Sequence, residues 1–178
     1  MKAKHLVVVM IVLSCLVSTV WAKGGNEGGS TAVLTDAEAE HLIFLREEEK
    51  LARDIYLALA VQYGTEIFVK ISASEQNHMD SVKGLIDKYG LEDPVVDNTP
   101  GVFSNPDIAL IYTELMASGE HSLKQALEVG VDIENMDIHD IKDVMLPDVT
   151  QSDVERGLQN LLAGSYNHLD AFTKYLDQ

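Results

Sequence analysis

The chain has 178 residues, and its 29 acidic side chains outnumber its 13 lysines and arginines, which gives a formal net charge of −16 at pH 7. Because so acidic a chain repels phosphate backbones, we expect no nucleic-acid partner. The single cysteine, Cys15, lies in a leader-like segment, so disulfides and thiol chemistry are excluded from the rest of the chain.

The first 22 residues predict a signal peptide. Lys2 and Lys4 precede an apolar run that starts at Leu6, and Val20 and Ala22 occupy the small-residue positions that a signal peptidase recognises. We therefore expect an exported protein, periplasmic or extracellular, with no membrane contact once the leader is cleaved. An uncleaved anchor is the alternative, because residues 6–22 are at the short end of what spans a bilayer.

Residues 23–33 are rich in glycine and predict a flexible lead, so the folded domain is expected to cover residues 34–178. Its first helix is predicted to begin with a capping box, Thr35 to Glu38, and to end at Gly64. Glu49 is the one charged residue on the apolar stripe of this helix. Three charged neighbours fall off the stripe and are predicted to be solvated: Glu47, Glu48 and Lys50.

The second predicted helix, from about Ile67 to Tyr89, carries Glu75 and His78 on an otherwise apolar stripe. Residues three apart lie on one helix face, so both side chains can reach one ion. A carboxylate on a buried stripe is costly unless a cation or a hydrogen-bond donor compensates it. If the first two helices form an antiparallel hairpin that turns at Gly64, Glu49 lies opposite Glu75 and His78, at the same level along the helix axes.

Residues 91–105 contain two prolines and lack periodicity, which predicts a long connection that crosses along a helical bundle. A helix from Pro106 to Ala117 is predicted next. A capping box at Ser122 then starts a segment whose stripe includes Glu134 and Asp137 and, if the helix is unbroken, Ile141 and Val144. Asp137 either belongs to this stripe or caps a separate short helix, and the sequence leaves both alternatives open.

The last predicted helix begins between residues 150 and 153 and runs to about Leu176. On its stripe, Ser165 and His168 have the same spacing as Glu75 and His78. Polar residues therefore interrupt four apolar stripes at one level of an all-α domain. The predicted metal ligands are Glu49, Glu75, His78, Glu134 and His168, with Asp137 and Ser165 as further candidates.

These residue types favour iron, with manganese or another divalent metal as alternatives, because carboxylates and imidazoles suit such ions. Three glutamates, or four carboxylates with Asp137, could balance one or two divalent ions. The alternative is a metal-free structural or interaction module, in which the same side chains form a hydrogen-bonded network that fixes the helix register. The sequence also leaves open whether copies of the chain form a homo-oligomer.

Two segments resemble rubrerythrin: Glu49 to Tyr56 is similar to its first-helix signature, and Ser74 to His78 to its second-helix ligand pair. More broadly, the span from Leu34 to Leu176 resembles an uncharacterised bacterial and archaeal ferritin-like family. The resemblance implies a ferritin-like four-helix bundle with a long crossover between helices 2 and 3. It also implies an iron site that could oxidise Fe(II) with oxygen or peroxide.

The resemblance assigns one or two ligands to each helix, in chain order Glu49, Glu75 with His78, Glu134, and His168. The pattern departs from rubrerythrin at two positions. Ser165 stands where rubrerythrin has a bridging glutamate, and Val131 where it has a further third-helix glutamate. Because one half of the site keeps little besides His168, a single ion or an unequal pair is as much to be expected as a full di-iron centre. The sequence also lacks a cysteine-rich electron-transfer module, so a complete peroxidase of the rubrerythrin kind is not expected.

Overall fold

The computed structural model describes residues 33–178, which contain α-helices and no β-strand. The predicted all-α class is therefore confirmed. The predicted leader and nearly all of the glycine-rich lead lie outside the described residues. No helix among residues 33–178 is long and apolar enough to cross a membrane. The helices are α1 (Asp36–Tyr63), α2 (Glu66–Tyr89), α3 (Pro106–Gly119), α4 (Leu123–His139) and α5 (Ser152–Leu176).

The ends of α1 follow from local chemistry. Thr35 Oγ1 accepts a hydrogen bond from the Glu38 backbone N at 3.1 Å, and the Glu38 carboxylate accepts one from the Thr35 backbone N at 2.8 Å. At the other end Gly64 has φ 64°, a left-handed conformation that favours glycine and ends the helix. The predicted capping box and helix end are both confirmed.

The same glutamate also ties the start of α1 to the start of α5. Glu38 Oε1 accepts hydrogen bonds from the backbone N of Thr150 and of Gln151, each at 2.7 Å. These contacts join residues more than a hundred positions apart and keep Glu38 fully buried. The beginning of the domain is thereby held by its last helix.

The helices pack on one another in pairs. α1 packs along α2, and α4 packs along α5. These two pairs meet where α2 contacts α5 and where α1 contacts α4. The shorter α3 packs on α1 and α4. Two apolar clusters fill the interior. One includes Tyr56, Phe68 and Phe172, and the other includes Leu42 and Leu158.

The prediction that Glu47, Glu48 and Lys50 are solvated is wrong. Their exposed fractions are 3%, 6% and 0%, because α1 is covered on every side in its middle turns. The connection after α2 folds over Glu47 and Lys50. Glu47 accepts hydrogen bonds from two backbone N–H groups of this connection, and Lys50 donates to the Thr99 carbonyl oxygen at 2.9 Å.

Further charged side chains hold this connection, residues 91–105, on the outer face of α1. Arg46 donates to both carboxylate oxygens of Asp93. Asp54 accepts from Lys50 Nζ at 2.5 Å and from the Gly101 backbone N at 3.0 Å. The predicted long connection is thus a fixed layer, since its polar groups are paired with buried charges of α1.

A π-helical segment, Asp140–Met145, follows α4 directly and shifts the buried stripe. Ile141 is fully buried as predicted, but Val144 is 37% exposed, and Met145 takes the interior position instead. A π turn contains an extra residue, so the stripe moves on by one position. Asp137 lies inside α4 and is buried, so it belongs to the helical stripe and does not cap a separate helix.

Candidate metal centre

Glu75 of α2 lies between two imidazoles. Its Oε2 is 2.8 Å from His78 Nδ1 on the same helix, and its Oε1 is 2.8 Å from His168 Nδ1 on α5. The two rings are roughly parallel, with centroids 5.4 Å apart. The i, i+3 spacing within α2 and the contact between α2 and α5 together produce this arrangement.

One further glutamate joins each histidine. Glu49 Oε2 of α1 is 3.2 Å from His78 Nδ1, and Glu134 Oε2 of α4 is 3.5 Å from His168 Nδ1. Two groups result, each with one ligand atom per residue and with these atoms within 4.8 Å of one another: Glu49, Glu75 and His78, and Glu75, Glu134 and His168. All five predicted ligands are therefore brought together, and Glu75 is common to both groups.

Several polar atoms of the cluster are buried without a hydrogen-bond partner among residues 33–178: Glu49 Oε1, Glu75 Oε1, Asp137 Oδ1 and His168 Nδ1. Glu75 Oε1 and His168 Nδ1 are close, but their alignment does not make a hydrogen bond. An unpaired buried polar atom costs about 1–3 kcal/mol. A cation among these atoms would remove that cost, so the donor set fits a metal.

A small cavity lies at the cluster, and its acidic lining residues are Glu48, Glu49, Glu75, Glu134 and Asp137. Its volume is about 10 Å³, close to the space that one water molecule needs. An ion of similar size can therefore be accommodated with little movement of the side chains.

The carboxyl groups of the cluster differ in the direction in which their pKa values are shifted. Burial opposes ionisation of Glu75, but His168 and His78 outweigh it and lower the pKa of Glu75 to about 2. Burial, together with the charge of Glu75, raises the pKa of Glu134 to about 8, although His168 opposes the rise. The same two effects raise the pKa of Asp137 to about 7, although its hydrogen bond with Ser165 opposes the rise. Burial and the charge of Asp137 also raise the pKa of Glu49 well above its usual range. Several carboxyl groups of the cluster thus hold protons near neutral pH.

The two histidines are affected in the opposite way. Burial lowers their pKa, but the surrounding glutamates outweigh it. Glu49 and Glu75 raise the pKa of His78 to about 11, and Glu134 and Glu75 raise that of His168 to about 10. In the absence of a metal, protons therefore occupy both imidazoles at neutral pH, and a metal has to displace them.

Asp137 and Ser165, the two further candidates, lie beside the ligand groups and belong to neither of them. The Ser165 hydroxyl is in short hydrogen-bond contact with Asp137 Oδ2 and lies 3.0 Å from the Leu161 carbonyl oxygen. Ser165 therefore positions Asp137, whose other oxygen faces no donor among the described residues.

Sequence reasoning missed three groups that support the ligands. Tyr56, a fully buried residue of α1, donates from its hydroxyl to Glu134 Oε1 at 2.6 Å. Ser74 Oγ lies 2.9 Å from His168 Nε2. Gly164 leaves room for His78, because a Cβ there would lie 2.5 Å from His78 Nε2. The i, i+3 spacing that revealed the ligands carries no signal for these residues.

A second acidic pair was also missed. Glu48 of α1 and Asp140 of the π-helical segment face each other, and both are buried. Burial and the neighbouring charge of Asp140 hold the pKa of Glu48 well above its usual range. Glu48 follows the buried Glu47 and precedes a candidate ligand, but it falls outside the apolar stripe, so its position indicated a solvated residue.

Residues 38–178 match a family described as an uncharacterized protein domain, DUF2202. The chain belongs to the DUF2202 family. Every candidate ligand lies within the matched range. The prediction of an uncharacterised family is confirmed, whereas the likeness to rubrerythrin stays a prediction.

This DUF2202 protein is similar to the uncharacterized protein MJ0754 of Methanocaldococcus jannaschii, at 43% identity over 144 residues, which cover 81% of this chain and 77% of that one. It is also similar to a crystal structure described as the hypothetical protein MJ0754 from Methanococcus jannaschii DSM 2661. That comparison has a TM-score of 0.80 and 40% identity, and it covers 88% of this chain and 86% of the other. The likeness therefore extends over nearly the whole helical domain.

Proposed function

We propose that this DUF2202 protein is a ferritin-like metal-binding protein, a four-helix bundle whose centre takes one or two iron ions. Manganese or another divalent metal is the alternative occupant. The observation that carries the proposal is the position of Glu75, whose two carboxylate oxygens each face a different histidine. The resemblance of Glu49 to Tyr56 to the first helix of rubrerythrin supports the same function.

Two ion positions follow from the two ligand groups. Glu49, Glu75 and His78 would hold one ion, and Glu75, Glu134 and His168 the other. Mixed carboxylate and imidazole ligands suit iron and manganese. The unpaired buried oxygens of Glu49 and Glu75 supply the physical reason for a cation here.

The chain's own residues prepare the ligands for such a role. Tyr56 fixes the orientation of Glu134 through its hydrogen bond, and Ser74 fixes the ring of His168. Leu51, Ala52 and Ile133 of the first apolar cluster line the cavity beside the acidic residues. When bound, Fe(II) would supply electrons to oxygen or peroxide.

Metal content after reconstitution tests the proposal. The wild-type chain, loaded anaerobically with Fe(II) and desalted, should retain one or two ions by elemental analysis, and Glu75→Ala should retain none. Glu155→Ala, which removes an exposed glutamate of α5, is the matched control and should bind as the wild type does. A wild-type protein that retains no stoichiometric iron, manganese or zinc would defeat the proposal.

The second candidate is a metal-free structural or interaction module with a polar core network. The short contacts of Glu75 with His78 and of Tyr56 with Glu134 favour it, because protons can take the place of a metal in them. Glu75→Ala would then lower the thermal stability and leave the metal content unchanged.

An enzyme differs from a passive metal binder in its kinetics. An enzyme should consume Fe(II) in the presence of oxygen or peroxide faster than buffer does, whereas a passive binder should only retain the ion. The same assay on Glu75→Ala separates catalysis at the centre from oxidation at the protein surface.

The segment from Lys2 to Ala22 supports the additional proposal that the helical domain acts outside the cytoplasm, in the periplasm or beyond it. A mature protein whose N-terminus is Lys23 is the expected product of export, and N-terminal sequencing checks this. Retention of the first 22 residues on a membrane-bound protein would favour the anchored alternative.

A further inference from the structure

Glu48 and Asp140 form a buried acidic pair outside the two ligand groups. Their exposed fractions are 6% and 2%, and no group outside the pair among residues 33–178 donates a hydrogen bond to their four carboxylate oxygens, although the two carboxyl groups can share a proton with each other. Unpaired buried carboxylates are costly, and the cost falls only if a proton or a cation joins them. The pair therefore points to an occupant that is charged and small.

The two members of the pair have different neighbours. On one side Glu48 lines the cavity of the candidate centre, together with Glu49 and Asp137. On the other side Asp140 begins the π-helical segment, next to His139 and close to Asp143, whose side chains are 59% and 54% exposed. Asp140 is buried close to the exposed His139, and Glu48 lines the cavity, so the pair adjoins both.

The cationic side chains nearest to Glu48 along α1 are already paired elsewhere. Lys50 and Arg53 both donate to Asp54, and Arg46 donates to Asp93 in the connection 91–105. The negative charge of the pair is thus not balanced by these side chains. A passing divalent cation would be attracted by it, as charged routes into proteins attract their counter-ions.

We propose that Glu48 and Asp140 form a transit site through which divalent cations enter the candidate centre from the surface beside His139 and Asp143. This inference rests on the proposed metal-binding function. Two carboxylates without an imidazole hold an ion less firmly than the ligand groups at the centre, so an ion stays only briefly at the pair and continues inward.

The test is the rate at which the metal-free full-length chain takes up Co(II), followed by its visible absorbance after rapid mixing. Asp140→Asn should slow uptake by about tenfold or more and leave the final number of bound ions unchanged. Glu48→Gln should slow uptake in the same way. Glu128→Gln removes an exposed charge of α4 that pairs with Lys124, and it should load at the wild-type rate.

The outcomes separate this inference from the proposed function. A wild-type chain that takes up no Co(II) contradicts the proposed function, and the transit site with it. Uptake at the wild-type rate by Asp140→Asn overturns the transit site alone, as does a fall in its final number of bound ions, which would make Asp140 a ligand. If Glu48→Gln does not fold by circular dichroism, Asp140→Asn decides.

Discussion

Glu75 is the one residue that the two candidate ligand groups share. Each of its oxygens belongs to a different ligand group, whereas Glu49 and Glu134 each belong to one. Replacing a shared ligand and replacing an unshared one should therefore have different effects on the metal content.

We predict that Glu134→Gln reduces the number of bound ions without abolishing binding, because Glu49, Glu75 and His78 remain. Glu75→Gln should abolish binding at both positions. Elemental analysis of the two variants, loaded side by side with Fe(II) or Co(II), measures the difference. Equal metal content in both variants would contradict the two-position arrangement.

Tyr56 supports Glu134 without being a candidate ligand. We predict that Tyr56→Phe destabilises the metal-free protein by about 1–3 kcal/mol, because a buried carboxylate oxygen loses its donor. Metal affinity should fall by roughly 10- to 100-fold, as it does when the support of a ligand is removed. Chemical denaturation and competition with a chromophoric chelator measure the two effects.

The control for this substitution is Tyr63→Phe on the same helix. The Tyr63 hydroxyl donates to the Gly119 carbonyl oxygen at the end of α3 and not to a candidate ligand. Its removal should lower stability and leave metal affinity unchanged. An equal loss of affinity in both variants would show that Tyr56 acts only through general stability.

Helix α1 contains charged residues that are buried on the side away from the candidate centre. Lys50 is fully buried, and its ammonium group contacts Asp54, the Thr99 carbonyl oxygen and the face of the Phe103 ring. The connection 91–105 is therefore fastened to α1 through a paired interior charge.

We predict that Lys50→Met destabilises the protein by about 3–5 kcal/mol, because removing one partner leaves the buried Asp54 less compensated. Urea denaturation followed by circular dichroism measures the loss. Lys70→Met, which breaks an exposed ion pair with Glu66, is the control and should leave the stability unchanged. Similar behaviour of the two variants would contradict a structural role for Lys50.

Several elements could be predicted from the sequence because their signals are local. The capping box at Thr35, the end of α1 at Gly64 and the spacing of Glu75 and His78 all involve residues within a few positions of one another. The height of Glu49 followed from the turn position, and its contact with His78 agrees with that prediction.

The remainder could not be predicted because it depends on distant parts of the chain. Glu47 is buried by backbone groups more than fifty residues away, and Glu48 by the π-helical segment. A stripe pattern describes one face of a helix, whereas α1 is covered on all faces. Val144 was expected on the buried stripe but is exposed. The π-helical segment that shifts the stripe cannot be recognised from the spacing of apolar residues in the sequence.

The protonation of the cluster makes the stability of the metal-free domain depend on pH. Glu134 and Asp137 have pKa values of about 8 and 7, above their ordinary values of 4.5 and 3.8. A group whose pKa is raised in the folded state stabilises that state. Its contribution to the free energy of unfolding is fully present below the ordinary pKa and is lost as the pH rises through the raised pKa. Each group therefore favours the folded state more at acidic than at alkaline pH.

We predict that the thermal midpoint of the metal-free protein falls by on the order of 5 °C or more between pH 5 and pH 8. The metal-loaded protein should lose much less, because the ions replace the protons. Differential scanning calorimetry of both forms at the two pH values provides the measurement. A midpoint that rises over this range in the metal-free form would contradict the buried, protonated carboxyl groups.

The link from Glu38 to Thr150 and Gln151 affects how the chain is made. α1 is synthesised long before α5, yet two of the backbone donors to its buried Glu38 carboxylate lie just before α5. A nascent chain that stops before residue 150 therefore carries an acidic helix without its partners. Truncated translation products should be efficiently degraded by proteases, and the domain should acquire its native structure only after synthesis is complete.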